Sequence, residues 1–456
     1  MQSKQVMKTV FVALAQHNHY SDVLRGKFLP ALAEHFRVVV ITPGIDVASV
    51  RRDGYFEHPN VTYERLPLAY PRFWNVMDKF IRVPLNREFD HLVYMRFFYQ
   101  RPHWWPRKVL MRMRVLFPRG LFSIDRIARF ELAWIRPPGA FLKLVEEYHP
   151  SVLITATPGF KPFEAEVIMS AKKLGLATFA IDINYDNLTS NGKMMRKTDF
   201  LAVWNERMKE EAKTLHRYRD DQLFVAGSLR FDHYFTDRVE PSFPTREEFL
   251  RSKGLDPGKK TIVWAGPTPS NYPPRKEFMT DLIRLKEHGA IDGDPNILVR
   301  IHPNDRIDFY REFSDRAGIH IERASRETKD GKVEMDEGDA MNLTATLLYA
   351  DVVLNFASTV AFEAWLFDRP VINVAFPDWR GIVYGYEYNK YIVATRAVRL
   401  AESPDDLARL VNQYLREPAL DRVERAHGVE QFSPFTDGET WRRTVAYCDT
   451  VSGGSV

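Results

Sequence analysis

The segment from Ala350 to Phe376, ADVVLNFASTVAFEAWLFDRPVINVAF, joins two short apolar runs through a stretch with helical spacing. Strand, turn, helix and strand in this order predict a βαβ unit with parallel strands. The turn carries Ser358 and Thr359, so their hydroxyls and the free N–H groups at the helix start predict a phosphate site. Glu363 follows about one turn later, where its carboxylate would accept hydrogen bonds from ribose or sugar hydroxyls. Simple capping of a core helix explains the same serine and threonine.

Two other strand ends in the same half of the chain carry residues suited to a phosphate. The run ILVRIHPND ends an apolar strand with Arg300 and His302, and a histidine there can donate a hydrogen bond to a phosphate oxygen. The run TIVWAGPTPSNYP opens after its strand into small residues that let a ligand approach the backbone, namely Gly266, Thr268 and Ser270. Each feature alone also fits an ordinary surface position. Because three strands of one domain end in this way, together they predict a nucleotide-phosphate site.

The rest of the chain repeats the alternation of strands and helices. Before residue 230 the strand-like runs are TVFVALA, VVVITP, PSVLITATPG, ATFAIDIN, FLAVW and QLFVAG, and the polar run QHNHYSD is predicted to be a loop. In the second half they are TIVWAGP, NILVRIHP, GIHIER, ADVVLNFAS, PVINVAF and YIVATRAV. The stretch 237–260, rich in proline, glycine and charge, is the expected domain boundary. We therefore expect an α/β protein with two doubly wound domains and a ligand site in the cleft between them.

Composition excludes several classes of protein. The 456 residues are 45% hydrophobic and 27% charged, which is the balance of a folded globular chain. Lys plus Arg total 64 against 60 for Asp plus Glu, and a net charge of +4 on this length does not indicate nucleic acid as a partner. Cys448 is the only cysteine, so a reducing compartment is expected. The apolar run from Val10 to Ala15 is too short for a signal peptide or a membrane span, which predicts a cytoplasmic protein, soluble or peripherally attached.

One segment departs from this balanced composition. The sequence from Tyr94 to Arg119 holds seven Arg or Lys residues, seven aromatic residues and no Asp or Glu. It lies within an insertion expected near residues 72–138. One hypothesis is contact with an anionic membrane surface through a short group of residues, Trp104, Trp105, Arg107 and Lys108. The alternative is an insertion packed on the first domain, with its arginines solvated or paired.

Several motifs resemble those of known transferases. The loop VWAGPTPSN resembles that of CDP-glycerol glycerophosphotransferases, and the paired HP and Ser-Thr motifs resemble those of bacterial sialyltransferases and Kdo-handling capsule transferases. The runs DINYDNLTSNGKM, VAGSLRFDHYF and FTDGETWRR are similar to segments of surface-polysaccharide transferase-like proteins, although Asn184-Tyr185 stands where Ser-Trp usually precedes Asp-Asn. The likeness covers roughly residues 150–445. It implies the GT-B fold, with a Rossmann-like acceptor domain over 1–240, a Rossmann-like nucleotide-donor domain over 260–435, and a C-terminal helix and tail over 436–456.

The resemblance also implies roles on the donor side. His302, Ser358 and Thr359 would hold the donor phosphate, and Glu363 would contact its sugar or ribose. Chemistry without a metal or cofactor is implied as well, because GT-B enzymes stabilise the leaving phosphate with helix dipoles and side chains. The nucleotide-sugar is then a substrate, and we expect a CMP or UDP carrier.

An inverting transferase needs a general base near the acceptor hydroxyl. In the first domain His17 and His19 follow the first strand, and Asp186 follows the strand ATFAIDIN. The same residues fit helix caps and turns, and a retaining enzyme would need no such base. Three more residues are expected to line the cleft near the acceptor, or to pair with one another at the domain hinge: Lys193, Arg230 and Asp232.

The sequence thus predicts a glycosyltransferase that moves a sugar from a nucleotide-sugar donor to a surface polysaccharide or glycolipid, on the inner face of a cell membrane. Two enzymes of the same fold remain as alternatives, a CDP-polyol phosphotransferase and a nucleotide-sugar 2-epimerase. Outside the enzymes, the alternative is a catalytically silent protein that binds polysaccharide or membrane. Consumption of the donor separates a transferase from this silent protein.

Overall fold

The computed structural model describes residues 7–67 and 124–453, except for 16, 25, 45–49, 51–53, 191–195, 324–325, 328–332, 335–336 and 378–382, together with 109, 112, 113 and 116. The chain forms two compact units. The first unit is Met1–Arg230 with Glu439–Val456, and the second unit is Phe231–Gly438. Lys193 and the four residues expected at a membrane lie outside the described residues.

The first unit is built on a parallel sheet. Its strands are β1 (Thr9–Ala13), β2 (Arg37–Thr42), β3 (Val61–Arg65), β4 (Pro150–Thr155), β5 (Ala177–Ile181), β6 (Phe200–Val203) and β7 (Leu223–Val225). They lie in the order β3-β2-β1-β4-β5-β6-β7. Val10 and Val12 point into one core while Phe11 and Ala13 point into the other, so both faces of the sheet are buried and the strand sequences are continuously apolar. The strand order reverses between β1 and β4, the place where such sheets bind ligands.

Helices cover both faces of this sheet. They are α1 (His17–Leu24), α2 (Phe28–His35), α3 (Ile124–Trp134), α4 (Gly139–Tyr148), α5 (Pro162–Lys173), α6 (Asn187–Ser190) and α7 (Glu206–His216). The prediction of a loop at QHNHYSD is wrong, because these residues form most of α1. Tyr20, Val23 and Leu24 are buried at helical spacing, and their burial outweighs the polar residues between them.

The second unit has its own parallel sheet and a small hairpin. The strands are β8 (Thr261–Ala265), β9 (Asn296–Ile301), β10 (Ile319–Arg323), β11 (Arg326–Glu327), β12 (Val333–Glu334), β13 (Val352–Asn355), β14 (Val371–Val374) and β15 (Val398–Ala401). The main sheet has the order β10-β9-β8-β13-β14-β15, and β11 pairs with β12. Here the order reverses between β8 and β13, so the carboxyl ends of β8, β9 and β13 are neighbours at one edge.

The helices of the second unit are α8 (Asp232–Thr236), α9 (Arg246–Ser252), α10 (Arg275–Glu287), α11 (Glu337–Tyr349), α12 (Val360–Trp365), α13 (Glu387–Ala394), α14 (Pro404–Arg416) and α15 (Arg422–Phe432). The prediction of a strand over YIVATRAV is wrong, because Tyr391 to Ala394 end α13 and the strand begins only at Val398, the last residue of that run. Burial alternates with exposure at helical spacing here, and Ile392 enters the core while Tyr391 faces solvent.

The unit boundary falls at Arg230 and Phe231, ahead of the segment 237–260 where we expected it. That segment is fixed to the second sheet, because Arg246 on α9 donates a hydrogen bond of 3.2 Å to Asp351, next to β13. The last helix, α16 (Thr440–Gly453), returns to the first unit. Its Cys448 is fully buried in the same core as Val10, which explains why the chain crosses back. Among the described residues, no helix is long and apolar enough to cross a bilayer.

Candidate active site

The carboxyl edge of the second sheet brings the predicted loops together. Gly266 follows β8 and lies against the end of β9, where its N–H donates a hydrogen bond of 2.9 Å to the Arg300 carbonyl. A Cβ on Gly266 would lie 3.1 Å from the Ile301 Cα and 3.3 Å from the Arg300 oxygen. Both neighbours are backbone atoms of β9, which cannot move aside without disturbing the sheet. A side chain at this position would therefore push the loop after β8 away from the end of β9 by a few tenths of an ångström.

His302 is a neutral hydrogen-bond donor at this edge. Its Nδ1 accepts a hydrogen bond of 3.0 Å from the Asn304 N–H, so the ring proton resides on Nε2. Nε2 in turn lies 3.2 Å from the Thr268 hydroxyl. Burial lowers the pKa of His302, and Asp305 offsets only part of this effect. The histidine is thus uncharged at neutral pH and offers one N–H, shared with Thr268, to the strand-end opening.

The turn after β13 uses its hydroxyls internally. Ser358 donates a hydrogen bond of 2.8 Å to the Asn355 side chain, and Thr359 donates one of 2.9 Å to Glu363. Ala357 adopts a left-handed conformation, with φ of +49°. Among the described residues, the backbone N–H groups of Ser358 and Thr359 have no hydrogen-bond partner. Successive free N–H groups in such a turn form a concave binding position for an anion. The position depends on this turn and not on the dipole of α12, because that helix has only six residues.

Of three other predicted donor residues, Glu363 and Arg300 have partners inside the second unit, and the prediction for Ser270 stays open. Glu363 is only 4% exposed and accepts hydrogen bonds from Thr359 and from the Tyr234 hydroxyl. Arg300 is buried and forms an ion pair of 2.9 Å with Glu322 on β10. Burial alone would raise the pKa of Glu322, but hydrogen bonding from His320 and the charges of Arg300 and Lys253 hold it below the usual range. The third residue, Ser270, is exposed at the tip of its loop.

The carboxyl edge of the first sheet gathers acidic residues around a histidine. His19 on α1 follows β1, and Glu164 on α5 follows β4, so the two flank the reversal in strand order. Both side chains are fully buried, and His19 Nδ1 lies 3.3 Å from Glu164 Oε1. Thr157 donates a hydrogen bond to the other oxygen of Glu164. Nδ1 and Oε1 thus lie at ion-pair distance without forming a hydrogen bond with each other. The side chain of His17 lies outside the described residues.

Asp182, directly after β5, has a buried carboxyl of which only one oxygen is hydrogen-bonded to the described residues. Its Oδ1 accepts hydrogen bonds from the Asn187 side chain at 2.6 Å and from the Asn184 N–H at 3.3 Å. Its Oδ2 has no hydrogen-bond partner among the described residues. Burial raises the pKa of Asp182 to about 8, although the bond from Asn187 opposes the shift. Asp182 is therefore mainly protonated at pH 7.

Asp186 lies half-buried at the start of α6, four residues after Asp182. It accepts a hydrogen bond of 3.1 Å from the Ser190 hydroxyl. Burial raises its pKa, while the Ser190 bond and the charges of Lys161 and Arg230 moderate the increase. A partly exposed carboxyl with a raised pKa is what general-base catalysis near neutral pH requires.

The residues expected to line the acceptor side are separated by the unit boundary. Arg230 belongs to the first unit, where it forms a two-point ion pair with Asp22 on α1 at 2.7 and 3.2 Å. Asp232 begins α8 in the second unit. Within the described residues, no group of three His, Cys, Asp or Glu side chains is arranged to hold a metal ion.

Sequence reasoning missed three residues of these edges. Asp182 carried a usable signal, because it is a charged residue directly after an apolar strand. Glu164 carried none, since it stands within the apolar helix pattern FEAEVIM. Tyr234 also carried none, because its partner Glu363 lies 129 residues away in the sequence.

Comparisons with known proteins agree with this architecture. A family model described as CDP-Glycerol:Poly(glycerophosphate) glycerophosphotransferase matches residues 159–448. No curated protein sequence matches the chain. The chain is similar to a UDP-GlcNAc 2-epimerase from Neisseria meningitidis bound to UDP-GlcNAc, with 11% identity, a TM-score of 0.53, and coverage of 97% of this chain and 100% of that one.

Two further solved structures share this likeness. A glycosyltransferase from Rickettsia africae has 10% identity and a TM-score of 0.51, with 99% of this chain and 100% of that one covered. The wall teichoic acid polymerase TagF, in a structure with CDPG, has 12% identity and a TM-score of 0.50, with 98% and 88% covered. At such identities the likeness shows the fold alone, which is GT-B.

The family match carries more than the fold. It spans more than half of the 456 residues and includes both strand-end clusters, from Glu164 to Asp186 and from Gly266 to Glu363. The chain is thus a transferase of GT-B fold, and it belongs to the CDP-glycerol:poly(glycerophosphate) glycerophosphotransferase family.

Proposed function

We propose that this chain transfers a sugar from a nucleotide-sugar donor to a hydroxyl group of a surface polysaccharide or glycolipid. The observation that carries the proposal is the neutral His302, whose Nε2–H lies at the same strand-end edge as the free N–H groups of Ser358 and Thr359. Together they supply uncharged hydrogen-bond donors for the phosphate of a bound nucleotide. Gly266 lets the loop after β8 pack closely against the end of β9 beside these donors.

The acceptor would be activated in the first unit. We assign Asp186 as the base that takes the proton from the acceptor hydroxyl as its oxygen bonds to the anomeric carbon. The bond from that carbon to the nucleotide phosphate then breaks, and the nucleotide leaves with both electrons. Asp182 is buried and holds its own proton at neutral pH, whereas Asp186 is partly exposed and therefore accessible to an acceptor hydroxyl. His19, which lies 3.3 Å from Glu164, is the other candidate base.

A second candidate reaction is favoured by the family match, namely transfer of a phosphopolyol from a CDP-linked donor. In that reaction the acceptor oxygen bonds to the phosphorus next to the polyol, the bond to the bridging oxygen breaks, and CMP leaves. The same donor-side N–H groups would stabilise the leaving phosphate, and the same base would serve the acceptor. The two reactions therefore differ in the donor consumed. The chemistry that we assign to the chain's own residues is common to both.

We also propose that the first unit works at an anionic membrane surface. Helix α3 presents Phe130 and Trp134 to solvent, with exposed fractions of 55% and 68%, and their ring centroids lie 5.7 Å apart. Arg129 and Arg136 are exposed beside them. Aromatic rings flanked by arginines suit the interfacial layer of a bilayer with anionic lipids. The basic aromatic sequence from residue 94 to 119 precedes this helix.

A nucleotide screen tests the donor site directly. The purified chain is heated with CMP, CDP, UDP or GDP, each with and without EDTA, since a ligand at 100 times its Kd stabilises the folded state by about 2.7 kcal/mol. We expect one nucleotide to raise Tm, with no loss of the shift in EDTA. The donors of the responding nucleotide are then tested for consumption, as nucleotide-sugars and as CDP-polyols. A shift abolished by EDTA would refute the metal-independent site, and the absence of any shift would favour the silent binding protein.

A further inference from the structure

We propose that Tyr234 is a positioning residue of the donor site, which acts through Glu363 on Thr359. This inference rests on the proposed role of the turn after β13 in holding the donor phosphate. In this inference Glu363 orients Thr359, whereas the sequence suggested that it contacts the sugar or ribose of the donor.

The three side chains form a continuous hydrogen-bonded chain. The Tyr234 hydroxyl donates to Glu363 Oε2, and the Thr359 hydroxyl donates to Glu363 Oε1 at 2.9 Å. Tyr234 is fully buried and Glu363 is 4% exposed. Each hydroxyl has a single proton, and both protons go to the same carboxyl. The carboxyl therefore holds Thr359 in one position, and Tyr234 holds the carboxyl.

Tyr234 is itself firmly held within the second unit. Its ring makes an edge contact with Phe367, with centroids 5.5 Å apart. The neighbouring His233 lies 3.0 Å from Asp237, which also accepts a hydrogen bond of 3.0 Å from Thr344 on α11. These contacts fix α8, the first helix after the unit boundary. The hydroxyl at the end of this fixed ring can therefore define where Glu363 lies.

Loss of the Tyr234 hydroxyl would act on nucleotide affinity. Glu363 Oε2 would be left buried without a donor, and an unsatisfied buried oxygen drives rearrangement of its neighbours. A shift of the Glu363 carboxyl would displace Thr359, which is hydrogen-bonded to it, and the backbone N–H of Thr359 belongs to the proposed anion position. Because acceptor activation is assigned to the first unit, the step at Asp186 would not be affected.

The test compares two phenylalanine variants. Tyr234→Phe removes the hydroxyl from this chain of hydrogen bonds. The control is Tyr414→Phe, which removes another buried tyrosine hydroxyl, on α14, that donates a hydrogen bond of 2.7 Å to the carboxylate of Asp421. Calorimetry gives Kd for the nucleotide that binds wild type, and scanning calorimetry gives Tm without it. We expect Tyr234→Phe to raise Kd about tenfold and to lower kcat without changing the pH dependence of kcat, and we expect Tyr414→Phe to leave both Kd and kcat unchanged.

A second variant keeps the inference falsifiable if Tyr234→Phe folds poorly. Glu363→Gln keeps the shape of the side chain but replaces one acceptor oxygen by a donor, so we expect it to raise Kd to a similar extent. Residues that act as one unit are not additive, so the double variant should bind no more weakly than Glu363→Gln alone. Additive losses, or wild-type affinity in Tyr234→Phe, would overturn this inference alone. Failure of wild type to bind any nucleotide would overturn the proposed function with it.

Discussion

Replacement of Asp182 by asparagine tests whether this buried carboxyl is protonated in the folded protein. The side chain is 1% exposed, and burial raises its pKa from 3.8 to about 8. An unfolded aspartate loses its proton near pH 4, whereas the folded one keeps it until pH 8. Ionisation therefore stabilises the unfolded state, but not the folded state, as pH rises through this range. The sign is that the free energy of unfolding falls as pH rises from 4 to 8.

The size of the effect follows from the width of this pH window. Each pH unit in which the two states differ by one proton changes the free energy of unfolding by about 1.4 kcal/mol. Between pH 5 and pH 8 the Asp182 carboxyl alone should then cost wild type about 3.5 kcal/mol, a little less than three full units because the folded carboxyl is half ionised at pH 8. Asparagine keeps an oxygen for the bonds from Asn187 and Asn184 but has no proton to lose. Asp182→Asn should therefore lack this part of the pH dependence and become the more stable protein at pH 8.

Urea unfolding at pH 5 and pH 8 measures the effect, with hydrogen exchange of peptides from β4 and β5 reporting on the first unit alone. Asp221→Asn is the control, because Asp221 is exposed and its pKa is lowered by Arg219, so it is ionised in both states across this range. For each protein the change in the free energy of unfolding between pH 5 and pH 8 is measured, and the change in each variant is compared with that in wild type. Equal changes in wild type and Asp182→Asn would refute a protonated Asp182. Such a result would also remove the argument that Asp186 is the available base.

Three other predictions concern function. His302→Ala should raise Kd for the nucleotide about 10- to 100-fold, because it removes a hydrogen bond to a charged phosphate; calorimetric titration measures this, and unchanged affinity would place the donor elsewhere. Asp186→Asn should lower kcat by a factor of about 10² to 10⁴ while nucleotide Kd stays at the wild-type value, and wild-type turnover would exclude Asp186 as the base. Replacing Phe130 and Trp134 by alanine should abolish co-sedimentation with anionic vesicles, and equal sedimentation of variant and wild type would refute contact through α3.

The fold was largely predictable because its signals are local. Continuous apolar runs identified the main parallel strands. The small residues after β8 and β13, with His302 after β9, identified the edge where the second unit gathers Gly266 and His302. The errors came where burial overrode polarity, as in α1, whose polar sequence hides Tyr20 and Val23 at helical spacing.

The direction of each hydrogen bond was not predictable. The sequence placed hydroxyls at Ser358 and Thr359, but only the structure shows that both protons point inward, to Asn355 and Glu363. Such choices depend on partners brought together by the tertiary fold. The same is true of Arg300, which a sequence-based argument assigns to a phosphate and which the fold pairs with Glu322.

The two strand-end clusters use opposite chemistry, and this sets the pH range in which the proposed reaction can run. At the donor edge the groups are neutral donors, so they remain competent as pH rises above neutrality. At the other edge Asp186 must lose a proton to act, and burial raises its pKa. Activity should therefore rise with pH until Asp186 is ionised. If that rise belongs to Asp186, the acidic limb of the pH profile should disappear in Asp186→Asn and persist in His302→Ala, so the two variants show which residue is responsible for it.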